Sequence, residues 1–168
     1  MKDNFLSINK LKKLKLKIRG KNLKISSNIT IVGESNIQLG NNVRIDDYTI
    51  ISAKEGFLKI GSNVHIGGQC YLGCGGGIEI KDNVNIAQGV KIYSKINDYI
   101  KPSKDNKIIK GLVKIGKNVI LGSNTVIIGK TQIKDGATVG ALSLVKNNLN
   151  SWSVYAGVPA KFIKKRKI

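Results

Sequence analysis

One histidine, one tryptophan, one methionine, two cysteines and two prolines are spread over 168 residues, and Phe, Tyr and Trp together supply only 5%. Each scarcity closes off a class of protein. A single imidazole cannot build a three-histidine zinc centre, and no metal site is expected. Cys70 and Cys74, with three residues between them, make no disulfide framework; they read as small half-buried thiols in a reducing compartment. The few aromatics form no cluster along the chain, so a stacking platform for single-stranded nucleic acid is missing. With rings so rare, a core must be assembled from Ile, Val and Leu, which favours strands over helices. No stretch approaches 18 consecutive apolar residues, and no charged–apolar–small leader opens the chain. A cytoplasmic location is expected.

Positive charge and glycine are abundant instead. There are 29 Lys and Arg against 10 Asp and Glu, a net charge of +19, and 19 glycines. The charge is concentrated at the ends. Residues 1–24 hold nine basic side chains and one acid, and residues 161–168 hold five basic side chains and no acid. These segments, 1–24 and 151–168, flank a central unit at 25–150. Such a field attracts polyanions, whether nucleic acid, anionic membrane, acidic glycan or a phosphate-rich cofactor. A compositional bias toward Lys, Ile and Asn produces the same charge with no partner at all.

The central unit is periodic. Residues 115–150 divide into six hexads without remainder: IGKNVI, LGSNTV, IIGKTQ, IKDGAT, VGALSL and VKNNLN. The first position is always Ile, Leu or Val, and the fifth is smaller on average. The same phase runs upstream from Leu39, Ile45 and Ile51, from Ile60, Ile66 and Leu72, and from Ile80, Ile86 and Ile92. The spacing slips only after the third member of each triplet, so three hexads make one turn of a coil. Positions one and five fall on the same side of a strand by period-two alternation. Three bent segments then close a triangular coil of about 18 residues, and coils stack roughly 4.8 Å apart as parallel strands. The prediction is an all-β parallel β-helix of about six coils. One loop protrudes at about 93–114, and every insertion leaves from one corner. Gly at position two is expected to relieve a crowded or positive-φ corner. The run 9–21, NKLKKLKLKIRGK, fits a short amphipathic helix or an alternating edge strand, and Pro159 is placed to start a short C-terminal helix.

The hexads, the insertion after a third hexad and the ending YAGVPAKFIKKR resemble the hexapeptide-repeat acyltransferases, in particular the sugar O-acetyltransferases of the galactoside and maltose type. The resemblance covers roughly residues 25–168. It implies a left-handed β-helix, a homotrimer, and acetyl-CoA lying in a groove between subunits with a saccharide or activated sugar as acceptor. It also implies cofactor contacts at Ala87 and Ser123, at Ala141, Lys146 and Asn147 in VGALSLVKNN, and at Lys161 and Lys164, whose ammonium groups suit the coenzyme phosphates. β-Helical carbonic anhydrases share the repeat but require three metal histidines.

In that family a histidine at the start of the long insertion takes the proton from the sugar hydroxyl. Here the corresponding position is Asn97, and an amide cannot serve as a base near neutral pH. Three readings stay open. An O-acetyltransferase would need another base: His65, Asp98 or, with a strongly depressed pKa, Lys95. An N-acetyltransferase of an amino sugar tolerates the loss, because a neutral amine attacks without prior deprotonation, and Asn97 or Asp98 could orient it. The third is a protein that keeps the fold without turnover, or a substituted enzyme. A polyanion-binding protein is the non-enzymatic alternative, with peripheral contact to an anionic membrane as one form of it and no specific nucleic-acid partner expected. Trp152 either packs over the groove or closes the last coil, with the latter favoured.

Overall fold

The structure is a computed structural model that describes residues 4–98 and 107–167. Three sheets form the faces of a prism. Sheet 1 contains Ile18–Arg19, Ile37–Leu39, Leu58–Ile60, Ile78–Ile80, Val113–Ile115 and Gln132–Ile133. Sheet 2 contains Lys24–Ile25, Arg44–Ile45, His65–Ile66, Asn85–Ile86, Ile120–Leu121, Thr138–Val139, Ser153–Ala156 and Lys161–Lys165. Sheet 3 contains Thr30–Val32, Ile50–Ser52, Tyr71–Gly73, Lys91–Tyr93, Val126–Ile128 and Leu144–Val145. The chain visits sheets 1, 2 and 3 in turn, and neighbouring coils pair in parallel. This is the left-handed β-helix of about six coils that the hexads predict.

Register explains the hexad. Ile45, Ile66, Ile86, Leu121 and Val139 are Cα partners through successive coils, so like side chains stack inside the prism. From Ile115 to Leu149 every first and fifth position is buried, including Thr125, Thr131 and Ser143. Buried hydroxyls need partners, and these donate to backbone carbonyls: Thr125 to Gly140 at 3.1 Å and Thr131 to Ile128 at 2.8 Å.

The corners divide two jobs that the sequence reading had assigned to position two. Position two is crowded: a Cβ on Gly40 would lie 2.5 Å from the carbonyl carbon of Gly61 in the next coil. Positive φ belongs to position four, where Asn42, Asn63, Asn83 and Asn118 lie at 55°, 56°, 58° and 57°. Asn adopts this conformation more readily than other side chains, and a stacked rank adds amide hydrogen bonds from Asn42 to Asn63 at 2.8 Å and from Asn63 to Asn83 at 3.1 Å.

Gly136 and Trp152 end that rank. The Trp152 ring covers Gly136, Arg166 lies 5.7 Å from the ring centroid, and its guanidinium donates to the Asn118 and Gly136 carbonyls. Trp152 therefore closes the last coil. A Cβ on Gly136, at φ +69, would sit 2.4 Å from the indole. Gly136→Ala is expected to cost about 2–4 kcal/mol from backbone strain and displaced packing. Denaturant unfolding followed by fluorescence of this sole tryptophan measures it.

Two end segments complete the prism. Ile8–Lys13 forms the helical option for the N-terminal run, its Ser7 hydroxyl capping the Lys10 amide. The predicted C-terminal helix is wrong. Lys161–Lys165 is a strand, antiparallel to Ser153–Ala156. The last parallel strand of sheet 2 leaves a row of unpaired backbone groups, and the returning chain satisfies them.

Candidate active site

All slips fall at one corner, where sheet 3 hands over to sheet 1: residues 53–57, 74–77 and the segment after Tyr93. The last of these rises as an antiparallel hairpin of Lys95–Asn97 with Ile108–Lys110. Its base is fixed by Ser94, which is fully buried; the hydroxyl donates to Gly73 at 2.8 Å and accepts from the Gly76 amide at 2.9 Å. Both arms are tied to the coil by Glu55, which lies 2.7 Å from Lys95 Nζ and 3.5 Å from Lys110 Nζ. The hydrogen bond from Lys95, followed by its charge, holds the Glu55 carboxyl below the usual range, so the clamp stays charged at neutral pH. Lys95 is thus tied to Glu55 by an ion pair across the corner.

Beneath the hairpin lie two adjoining hollows. One, of about 270 Å³, is lined by Lys54, Glu55, Tyr71, Gly73, Gly75 and Tyr93 among others. The other, of about 500 Å³, is lined by Tyr93, Lys95, Ile96, Asn97 and Ile128. The Tyr71 and Tyr93 ring centroids are 5.2 Å apart. Tyr71 lies across Gly73, where a Cβ would meet its ring at 2.9 Å. Sequence reasoning missed Glu55, Ser94 and the tyrosine pair. Glu55 is the one acid in residues 53–57, and Ser94 occupies an inward slot at the third position of the third hexad, so both signals were available.

Asn97 ends the first hairpin arm, exposed and opposite Ile108, with its side chain bordering the larger hollow. Asp98 follows, its amide donating to the Lys107 carbonyl at 2.9 Å. His65 sits on the outer surface of sheet 2, a different face from the hairpin, with its Nε2 2.8 Å from an Asp46 oxygen. Partial burial raises the Asp46 carboxyl, but hydrogen bonds and charge from Arg44 and His65 outweigh it, and the net shift is downward. Within one protomer His65 and Asn97 do not share a hollow.

The expected cofactor contacts fall into three places. Ala87 lines up with Gly122 and Gly140 on successive coils at the corner between sheets 2 and 3, and Ser123 and Ala141 follow one residue on, level with Gln88. These small residues leave a smooth ledge. Lys146 and Asn147 are exposed at the hairpin corner, two coils further on. Lys161 and Lys164 lie exposed on the final strand. Sheet 3 separates the first two places by a strand of about 10 Å.

Cys70 and Cys74 are more buried than expected, pointing into the core with no disulfide between them. Burial pushes their thiols up to about 11 and about 12. The nucleophile is the thiolate, so neither should react with a disulfide reagent at pH 8 in the native protein, and both should titrate after unfolding; rapid native labelling would contradict the packing. Among the described residues no group of His, Cys, Asp and Glu could hold a metal ion, and no helix is long and apolar enough to cross a membrane.

The stacked coils, the hairpin rising from one corner and the ledge along another define a hexapeptide-repeat transferase. Residues 112–147 match the bacterial transferase hexapeptide (six repeats), and residues 58–94 match the hexapeptide repeat of succinyl-transferase. The chain is 37% identical over 165 residues to a dTDP-4-amino-4,6-dideoxy-D-glucose acyltransferase of Escherichia coli, covering 93% of this chain and 85% of that protein. The chain belongs to the hexapeptide-repeat acyltransferase family. Its fold is similar to that of AntD, an N-acyltransferase from Bacillus cereus solved with dTDP and 3-hydroxybutyryl-CoA (TM-score 0.91, 37% identity, 98% of this chain and 90% of that one). A maltose O-acetyltransferase from Clostridium difficile is more distant, with TM-score 0.67 and 25% identity over 99% of this chain and 81% of that one.

Proposed function

We propose that this protein is an acyl-CoA-dependent sugar acyltransferase whose acceptor is the amino group of a nucleotide-linked amino sugar. One observation carries the choice of amine over hydroxyl: the hairpin brings Asn97, and no imidazole, to the hollow at its base, with Asp98 the next residue along the arm. The relatives support it, since two that match nearly the whole chain at 37% identity are named for amino-sugar or N-acyl transfer.

A sugar amine titrates near an α-amino group, at about 8, so a useful neutral fraction exists at cellular pH. Asn97 orients it by hydrogen bonding. Its nitrogen attacks the thioester carbonyl carbon, and Asp98 receives the proton the nitrogen sheds as the amide forms. The coenzyme thiolate leaves. A carboxylate suffices here because the cationic nitrogen of the tetrahedral adduct is a far stronger acid than a sugar hydroxyl. Backbone N–H groups at the corner steady the oxyanion.

The working unit is a homotrimer in this reading. The ledge carrying Ala87, Ser123 and Ala141 and the corner carrying Asn97, Lys146 and Asn147 lie on opposite edges of sheet 3, so two protomers must face each other to complete a groove. The outer surface of sheet 3 suits that contact, with Val32 and Ile50 each 42% exposed on it. Lys161 and Lys164 would meet the coenzyme phosphates. We place the protein in the cytoplasm, where acyl-CoA is made, and assign the product to cell-surface polysaccharide synthesis.

Thiol release from acetyl-CoA tests the reading. Release is expected with a nucleotide-linked amino sugar and not with the buffer alone or the free coenzyme acceptorless. No release with any amino sugar, despite coenzyme binding, would overturn it.

A further inference from the structure

The end of the prism that carries the N-terminus is chemically unlike the rest of the molecule. From residue 4 to residue 24 there are eight basic side chains and no acidic one. All eight, from Lys10, Lys12, Lys13, Lys15 and Lys17 on the helix and its exit to Arg19, Lys21 and Lys24 on the first coil, are exposed, and none forms an ion pair among the described residues. The next acid along the chain, Glu34, accepts the backbone amide of Lys15 rather than an ammonium group. The apolar partners of this segment are turned the other way: Leu6, Leu11, Leu14 and Leu16 pack against the core. Two aliphatic side chains are not. Ile8, at the start of the helix, is 71% exposed, one turn from Lys12 on the same side, and Ile18 on the first coil is 54% exposed.

We infer that this end face is a docking surface for an anionic lipid bilayer. Unpaired cations with a protruding aliphatic residue among them match a membrane surface, where headgroup phosphates meet the ammonium groups and the boundary of the acyl region accepts the isoleucine. A nucleic acid or acidic glycan offers the charge but gains nothing from Ile8. The aromatic side chain available for stacking at this end, Phe5, is occupied by the Arg44 guanidinium 5.3 Å from its centroid. In a cyclic trimer the threefold axis turns three such faces toward the same side of the assembly, so modest single-face affinities act together. The inference does not depend on which acceptor the groove takes.

The experiment is co-sedimentation of the full chain with vesicles at physiological salt, comparing phosphatidylcholine alone with mixtures containing about one-third phosphatidylglycerol. The protein is expected to pellet with the anionic vesicles only. Lys10→Gln, Lys12→Gln, Lys13→Gln and Lys15→Gln combined keep helix propensity and should weaken binding at least tenfold while leaving thiol release unchanged. Ile8→Ser alone should weaken vesicle binding severalfold and leave binding to duplex DNA unaltered. Lys161→Gln with Lys164→Gln, at the far end, should leave the pelleted fraction as it is. The inference is overturned by failure to pellet with anionic vesicles, by full binding in the quadruple variant, or by an Ile8→Ser variant that binds vesicles like the parent while duplex DNA competes the protein off them.

Discussion

Asp98→Asn is expected to lower kcat for acylation of an amino sugar by about 10²–10⁴-fold, the usual contribution of a positioned proton acceptor. The coenzyme should bind as before, because Asp98 is not among the residues expected to contact it. The substitution keeps size and removes basicity, so the adduct nitrogen must release its proton to water. The loss should shrink as pH rises and more acceptor is present as free amine with hydroxide available. A general loss of structure would not follow pH in that way. Initial rates of thiol release from pH 6 to pH 9 separate the two. An unchanged rate would remove Asp98 from the chemistry and leave the amine to lose its proton unaided.

The second large effect is a gain. Asn97→His places an imidazole at the hairpin position where the resemblance to sugar O-acetyltransferases leads one to expect it. A hydroxyl needs a base, whereas a neutral amine does not. The variant should therefore raise acylation of hydroxyl acceptors by about 10²-fold or more while changing the amine rate little. The hollow beneath the hairpin, bordered by Ile96 and Ile128, has room for the ring. If both rates stay flat, Asn97 does not face the reacting atoms. If the parent already acylates hydroxyls quickly and His65→Ala abolishes that activity, the base comes from the His65–Asp46 pair of a neighbouring subunit.

These predictions rest on a fold that the hexads made plain. Ile115 and Val119 announce the inside of a coil because burial imposes the same spacing on every turn, and the slips after Ile51, Leu72 and Ile92 mark one corner because only there can the coil lengthen without breaking register. Local conformation was harder to read. Asn42 and its stacked successors take the left-handed turn at position four, a preference shared with Gly; the glycines at position two drew attention but answer to the backbone of the next coil. The end of the chain misled for a different reason. KFIKK has no strong preference of its own, and the edge of Ser153–Ala156 decides that it is a strand.

The site was half legible. Asn97 stands out because a neighbouring pattern sets an expectation that it breaks. Glu55 and Lys95 come together across 40 residues, and the pairing of Asp46 with His65 spans 19. Coil lengths vary around the insertions, so no fixed period connects such partners. Small residues at Ala87, Gly122 and Gly140 are equally ambiguous along the chain, and come into line only when three coils are stacked.

An amino sugar carries both an amine and hydroxyls, so one product distinguishes the chemistries. Incubation of the parent protein with acetyl-CoA and a dTDP-linked amino sugar, followed by neutral hydroxylamine and mass analysis, should show one added acetyl group that survives, because an amide resists a reagent that strips esters. An acetyl group removed by hydroxylamine would show transfer to oxygen, and would contradict the claim that this site, without an imidazole at the hairpin, works on nitrogen.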